Sequence, residues 1–172
     1  MENQVNSKSI ILNYGLYLGI ASVLISLIMY ALGMYLEQNW IAIILSFVIM
    51  IILIVLGIKK FKETNEGFLS WGQAVKIGVG IAIISGVISI IYQQIFINFI
   101  EPDFMNQMME IQNQKMLDAG YSEERIDAAK EMSEKMGTLT DSAMSLIGTA
   151  FIGFIISAIA GAIMKESKEE EY

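Results

Sequence analysis

Catalysis by this chain would have to come from carboxylates, because its 172 residues include neither histidine nor cysteine. That absence removes a thiol nucleophile, a disulfide framework, a histidine base and a histidine-ligated zinc. Of the 18 acids, ten fall between Glu101 and Asp141, beside only four bases. None lies within the long apolar runs, so no paired carboxylates are available as intramembrane acid and base. The same acidic segment carries six methionines. Thioethers on an oxidising face are soft-metal ligands. They also form adaptable apolar surfaces for a partner or a bilayer. Metal-capturing stretches usually add histidine or cysteine, so no metal and no cofactor is expected.

A second group of residues is polar but uncharged. Tyr92, Gln94 and Asn98 sit towards the end of the third apolar run, and Ser145 and Thr149 lie at similar depth in the fourth. Polar side chains in such runs either bond between helices or mark a pocket for lipid or solute. The absence of Asp, Glu, Lys and Arg from the depth of every run argues against a pump or a proton-coupled carrier. The net charge of −7 argues against a nucleic-acid partner.

The elements that must position these residues are apolar helices. The chain is 55% hydrophobic. Its charge-free runs cover 10–36, 38–58, 77–100 and 142–164. Each exceeds the ~18 residues that suggest a membrane-crossing helix. Spans are placed at 10–36, 40–58, 71–100 and 142–164, within a single membrane domain covering 1–172. The bilayer is the first expected partner. Lys8, Lys59, Lys60, Lys62, Lys76, Lys165 and Lys168 fall on one side of this arrangement, which the positive-inside rule makes cytoplasmic. Both termini are then inside and Glu101 to Asp141 outside. Tyr14, Tyr17, Phe61, Phe68 and Trp71 would form the inner aromatic belt. Tyr30, Tyr35, Trp40, Phe99 and Phe104 would form the outer one.

The outer segment, 102–137, reads as a helical hairpin. Pro102 can open a helix. Phe104, Met108 and Ile111 recur at helical spacing, as do Met105, Met109, Gln112 and Met116. Gly120 suits a left-handed cap, Ser122 caps a second helix with Glu123 and Glu124 at its positive end, and Gly137 ends it. Ile126, Ala129, Met132 and Met136 line one face of that helix. This face is a candidate surface for an envelope protein partner.

Small residues recur every four positions in the spans. Gly15 and Gly19, then Ser22 and Ser26, lie in span one. Gly78, Ala82 and Gly86 lie in span three. Ser145, Thr149, Gly153, Ser157 and Gly161 lie in span four. Such spacing lets helix backbones approach closely, within one chain or in a homo-oligomer. Gly80 falls off the stripe. At the start of span three, Ser70-Trp71-Gly72-Gln73 matches the Ser-x-x-Gln capping box.

With the stretch "GIKKFKETNEGFLSWGQAVKIG" at 57–78 and "FIEPDF" at 99–104, the span layout resembles a bacterial family of small four-span proteins, the domain of unknown function family numbered 4199. The resemblance implies a bacterial inner-membrane protein and carries over no functional residue. The expected fold is all-α, an integral membrane four-helix bundle with an extracytoplasmic helical hairpin between spans three and four. The expected role is that of a non-enzymatic accessory or interaction protein. The rival reading is a small-solute or lipid carrier or channel component.

Overall fold

A computed structural model describes residues 7–37 and 39–166. Gln38 of the first turn and Lys168 lie outside the described residues, as does the side chain of Met136. The chain is helical throughout, with α1 (Ser7–Ala31), α2 (Trp40–Thr64), α3 (Trp71–Ile95), α4 (Phe104–Asp118) and α5 (Glu123–Met164). No strand is present among the described residues. Four helices are long and apolar enough to cross a membrane: α1, α2, α3 with its π-helical extension Phe96–Ile100, and Thr140–Met164 of α5.

Charge ends a span but not a helix. α2 continues past Ile58 to Thr64, with Ile58 and Phe61 buried and Lys62 in the final turn, where a cation suits the helix dipole. α1 stops at Ala31, short of the end of its charge-free run at Leu36. Gly33 adopts φ 69°, its N–H donates to the Tyr30 carbonyl, and the Met34 N–H donates to Met29. This is the Schellman closure, which needs a left-handed residue and therefore favours glycine. The same pattern closes α4 at Gly120, with N–H donors from Gly120 to Leu117 and from Tyr121 to Met116. Ser122 occupies the N-cap position of α5 but makes no side-chain capping bond. Gly137, at φ 68° and ψ 162°, breaks α5 between its hairpin portion and its spanning portion.

α3 runs through the middle of the bundle, packed along α1 on one side and α5 on the other. Glycine makes both contacts close. A Cβ on Gly15 would sit 2.6 Å from Ile84 Cβ, one on Gly153 2.5 Å from Ala82 Cβ, and one on Gly161 2.7 Å from Ala74 Cβ. Gly19 faces Ile88, Gly86 faces Leu146, and Gly78 faces Ser157 and Ile54. Gly80, off the stripe, turns to the other side of α3 and receives Ile11 of α1. In a bilayer this dispersion contact replaces the hydrophobic drive that is missing between helices.

The packed core lies towards the end where α2 finishes and α3 begins. Ile54, Ile58, Leu69, Ile77 and Ile81 are wholly or almost wholly buried there, with Phe61, Ala74, Ile156 and Ala160 around them. Lys59, Lys60, Lys62 and Lys76 lie in this half, the lysine end. It is also fastened outside the spans. The Leu69 N–H donates to the Glu166 carbonyl at 2.9 Å, and the Glu166 N–H donates back to Leu69 at 2.9 Å. Lys62 Nζ lies 2.7 Å from the Glu166 carboxylate. That hydrogen-bonded ammonium holds the Glu166 carboxyl below its ordinary value of 4.5. Ser70 Oγ accepts from the Gln73 N–H at 3.2 Å, and Gln73 Oε1 accepts from the Ser70 N–H at 2.8 Å. Trp71 Nε1 donates to the Ala158 carbonyl of α5 at 3.1 Å, and its ring stands edge-on to Phe154.

A candidate binding cleft between the four spans

The opposite half, the hairpin end, is built differently. No residue of α2 before Ile54 is buried, and Ala42, Ile43, Ser46, Phe47 and Met50 from that part of the helix border an open space. That space is a cleft of about 560 Å³, lined by residues of all four spans. Each span contributes hydroxyls: Ser22 and Ser26 from α1, Ser46 from α2, Ser85 and Ser89 from α3, Ser145 and Thr149 from α5. These seven hydroxyls share the lining of one cleft. Tyr35, Glu37 and Asn39 also line the cleft, from the α1–α2 turn at its rim.

Two smaller recesses adjoin it. One, of about 280 Å³, shares Ser22, Ser26, Tyr35 and Ser89 with the cleft and adds Tyr92, Gln93, Phe96 and Phe104. The other, of about 250 Å³, lies between α1 and α2 and is almost wholly apolar, with Ile25, Ile28, Leu32, Ile41 and Leu45 in its wall.

The hydroxyls differ in what they hold. Ser22 donates to the Leu18 carbonyl at 2.9 Å and Thr149 to the Ser145 carbonyl at 2.9 Å, each within its own helix. Tyr92 Oη is buried and has no hydrogen-bond partner among the described residues. A buried hydroxyl left unpaired is costly and calls for an explanation.

The five polar residues singled out in the sequence divide. Ser145 and Thr149 line the cleft and Tyr92 the adjoining recess. Gln94 and Asn98 line neither. The Asn98 amide donates to the Gln94 carbonyl at 2.7 Å, a bond within the helix, and no side-chain bond joins either residue to Ser145 or Thr149. The glutamine that reaches the recess is Gln93. Its signal is spacing: Ser85, Ser89 and Gln93 recur every four residues on α3, as Ser22 and Ser26 do on α1. The remaining marked residues, Gly15, Gly19, Gly78, Ala82, Gly86, Gly153, Ser157 and Gly161, pack helix on helix within the chain. Ser157 is fully buried, and its hydroxyl donates to the Gly153 carbonyl at 2.7 Å.

The roof of the recess is aromatic. Phe96 is buried beneath Tyr30, Tyr35, Tyr92 and Phe104, with ring centroids 5.2, 6.2, 5.9 and 5.4 Å away. Phe104 is the first residue of α4, so this cluster is also where the hairpin joins the bundle. Long hydrogen bonds reinforce the joint, from Tyr30 Oη to Glu101 at 3.4 Å and from Tyr35 Oη to Gln107 at 3.5 Å. Trp40 and Phe99 stay outside the cluster, 66% and 81% exposed. Beyond its root the hairpin is open. Ile126 is buried, Ile111 and Met116 are half-buried, and Met105, Met108, Met109 and Met132 are exposed.

Four apolar spans with extensive outward hydrocarbon surface, including Ile41 and Ile163, define a multi-pass membrane protein. The chain belongs to the family described as Protein of unknown function (DUF4199), which it matches over residues 13–166. No curated protein and no solved structure matches it.

Proposed function

We propose that the protein is a non-enzymatic accessory protein of the bacterial cytoplasmic membrane that acts by binding, with the hairpin end as its working end. One observation carries this reading: the cleft has a floor. Leu18, Met50 and Ser85 line its inner part, and beyond them Ile54 and Ile81 are packed to zero exposure. Among the described residues, a molecule that enters meets this packed layer before the other side, which favours a binding site over a pore. Lys59, Lys60, Lys62, Lys76 and Lys165 gather at the lysine end. The positive-inside rule then supports a cytoplasmic lysine end and an external hairpin. The exposed methionines of the hairpin support contact with an envelope protein partner.

Native mass spectrometry of the protein released from its membrane in mild detergent tests the reading. Binding predicts a retained bilayer-derived adduct that Ser89→Leu removes. Absence of any adduct, together with solute flux through proteoliposomes above the empty-liposome background, would overturn it in favour of a channel. Orientation has a separate test. A thiol placed at Ser122 should react with an impermeant reagent in intact cells, and one placed at Asn65 should not.

A further inference from the structure

We infer that the cleft takes an uncharged amphiphile drawn from the surrounding leaflet: its hydroxyl- or carbonyl-bearing head among the serines and Tyr92, its hydrocarbon chain in the apolar recess between α1 and α2. The inference rests on the binding reading above and adds the chemistry of the ligand.

Size comes first. About 560 Å³ falls in the ~300–1,000 Å³ range of small-molecule sites. Charge comes next. Among the described residues, Glu37 is the one charged side chain lining the cleft, and it lies in the turn at the rim, beyond the end of α1. A carboxylate or ammonium drawn to the depth of Ser85 and Ser89 would meet no counter-ion, and unpaired charges at membrane depth are strongly disfavoured. Neutral donors and acceptors fit instead. Ser26, Ser46, Ser85 and Ser89 bring hydroxyls from three helices, and each hydroxyl can both donate and accept.

The Tyr92 hydroxyl supplies an independent argument. It is buried without a partner, in the recess that shares Ser22, Ser26 and Ser89 with the cleft. A ligand carbonyl or hydroxyl oxygen there would accept its hydrogen bond. The apolar recess decides between a lipid and an aqueous polyol. Its wall includes Ile28, Leu32 and Ile41, which are also exposed on the outer surface of the bundle. It therefore offers a hydrocarbon chain a way from the serines to the bilayer, and a polyol has no use for it.

The test uses the full chain in nanodiscs and three diazirine probes with the same acyl chain: a monoacylglycerol, a free fatty acid and a phosphocholine ester. The monoacylglycerol should label peptides of α1 and α3 that line the cleft. Unlabelled monoacylglycerol should compete, and glycerol alone should not. Tyr92→Phe should weaken that competition about two- to tenfold, the loss of one hydrogen bond. Ser89→Leu, with its thermal unfolding checked in parallel, should abolish the labelling. Equal labelling by the fatty acid or the phosphocholine ester would overturn the neutral-head inference and leave the binding reading standing. Competition by glycerol would assign the site to an aqueous solute. Labelling confined to lipid-facing residues such as Ile163, unchanged by Ser89→Leu, would end both.

Discussion

At the lysine end, Ser157 is sealed between α3 and α5, and its hydroxyl is held by carbonyls of its own helix. At the hairpin end, Ser26, Ser46, Ser85 and Ser89 face an open cleft. The residue type is the same and the four-residue spacing recurs on α1 and α3 as on α5. What differs is the neighbour. Next to Ser157 stands Gly78, which has no side chain and lets the backbones close. Ser85 and Ser89 face Ala42, Ser46 and Met50 of α2 across a cleft, and the same small residues line a space instead of a joint. Small residues at this spacing are thus permissive: the opposite helix decides whether the result is contact or cavity.

Substitutions can break that comparison. The largest effect is expected at the packed end. Ile58→Ala should cost about 2–5 kcal/mol, the usual range for emptying a filled core site. Ile43→Ala in the cleft wall, where the side chain is 46% exposed, should change stability by about 0.5 kcal/mol or less. Reversible unfolding in mixed micelles measures both, and equal losses would erase the distinction between the two ends. Next comes Gly78→Ala, expected to cost about 1–3 kcal/mol because the new Cβ meets the Ser157 Cβ and Ile54. Gly148→Ala, with open space around it, is the matched control and should be nearly neutral.

Smaller still is Ser70→Ala, which removes one arm of the capping box at a cost of about 0.5–2 kcal/mol. It should leave labelling of the cleft unchanged. The mildest perturbation is acid. The Glu166 carboxyl has a lowered folded-state pKa, so its contribution is full above the ordinary value of 4.5 and is lost as pH falls through the lower folded value. Glu166→Gln should flatten that part of the stability–pH curve. Because the Glu166 side chain is largely exposed to solvent, the change should be small.

The spans were legible in the sequence because charge-free runs of that length have few other uses. The Ser70–Gln73 box and the Gly120 cap were legible because each depends on local backbone geometry alone. The cleft was not. Ser22, Ser26, Ser85 and Ser89 carry the spacing of a packing stripe, and only the tertiary arrangement of the four helices turns that stripe into a lining. Gln93 and Gln94 are sequence neighbours, and a rotation of ~100° decides which one enters the recess. The residues of the expected outer belt divide in the same way: Tyr30, Tyr35 and Phe104 turn in to Phe96, and Trp40 and Phe99 turn out.

The paired backbone bonds between Leu69 and Glu166 have a consequence for biogenesis. The loop that starts α3 finds its partner only beyond the end of α5, and Trp71 docks on a carbonyl of that same helix. The fourth span follows the other three off the ribosome. Until it inserts, α3 lacks the face that Gly153, Ser157 and Gly161 will cover, and its opening turn has nothing to clasp. Closure of this joint is therefore a late event. A nascent chain halted before Glu166 would expose an unfinished seam along α3.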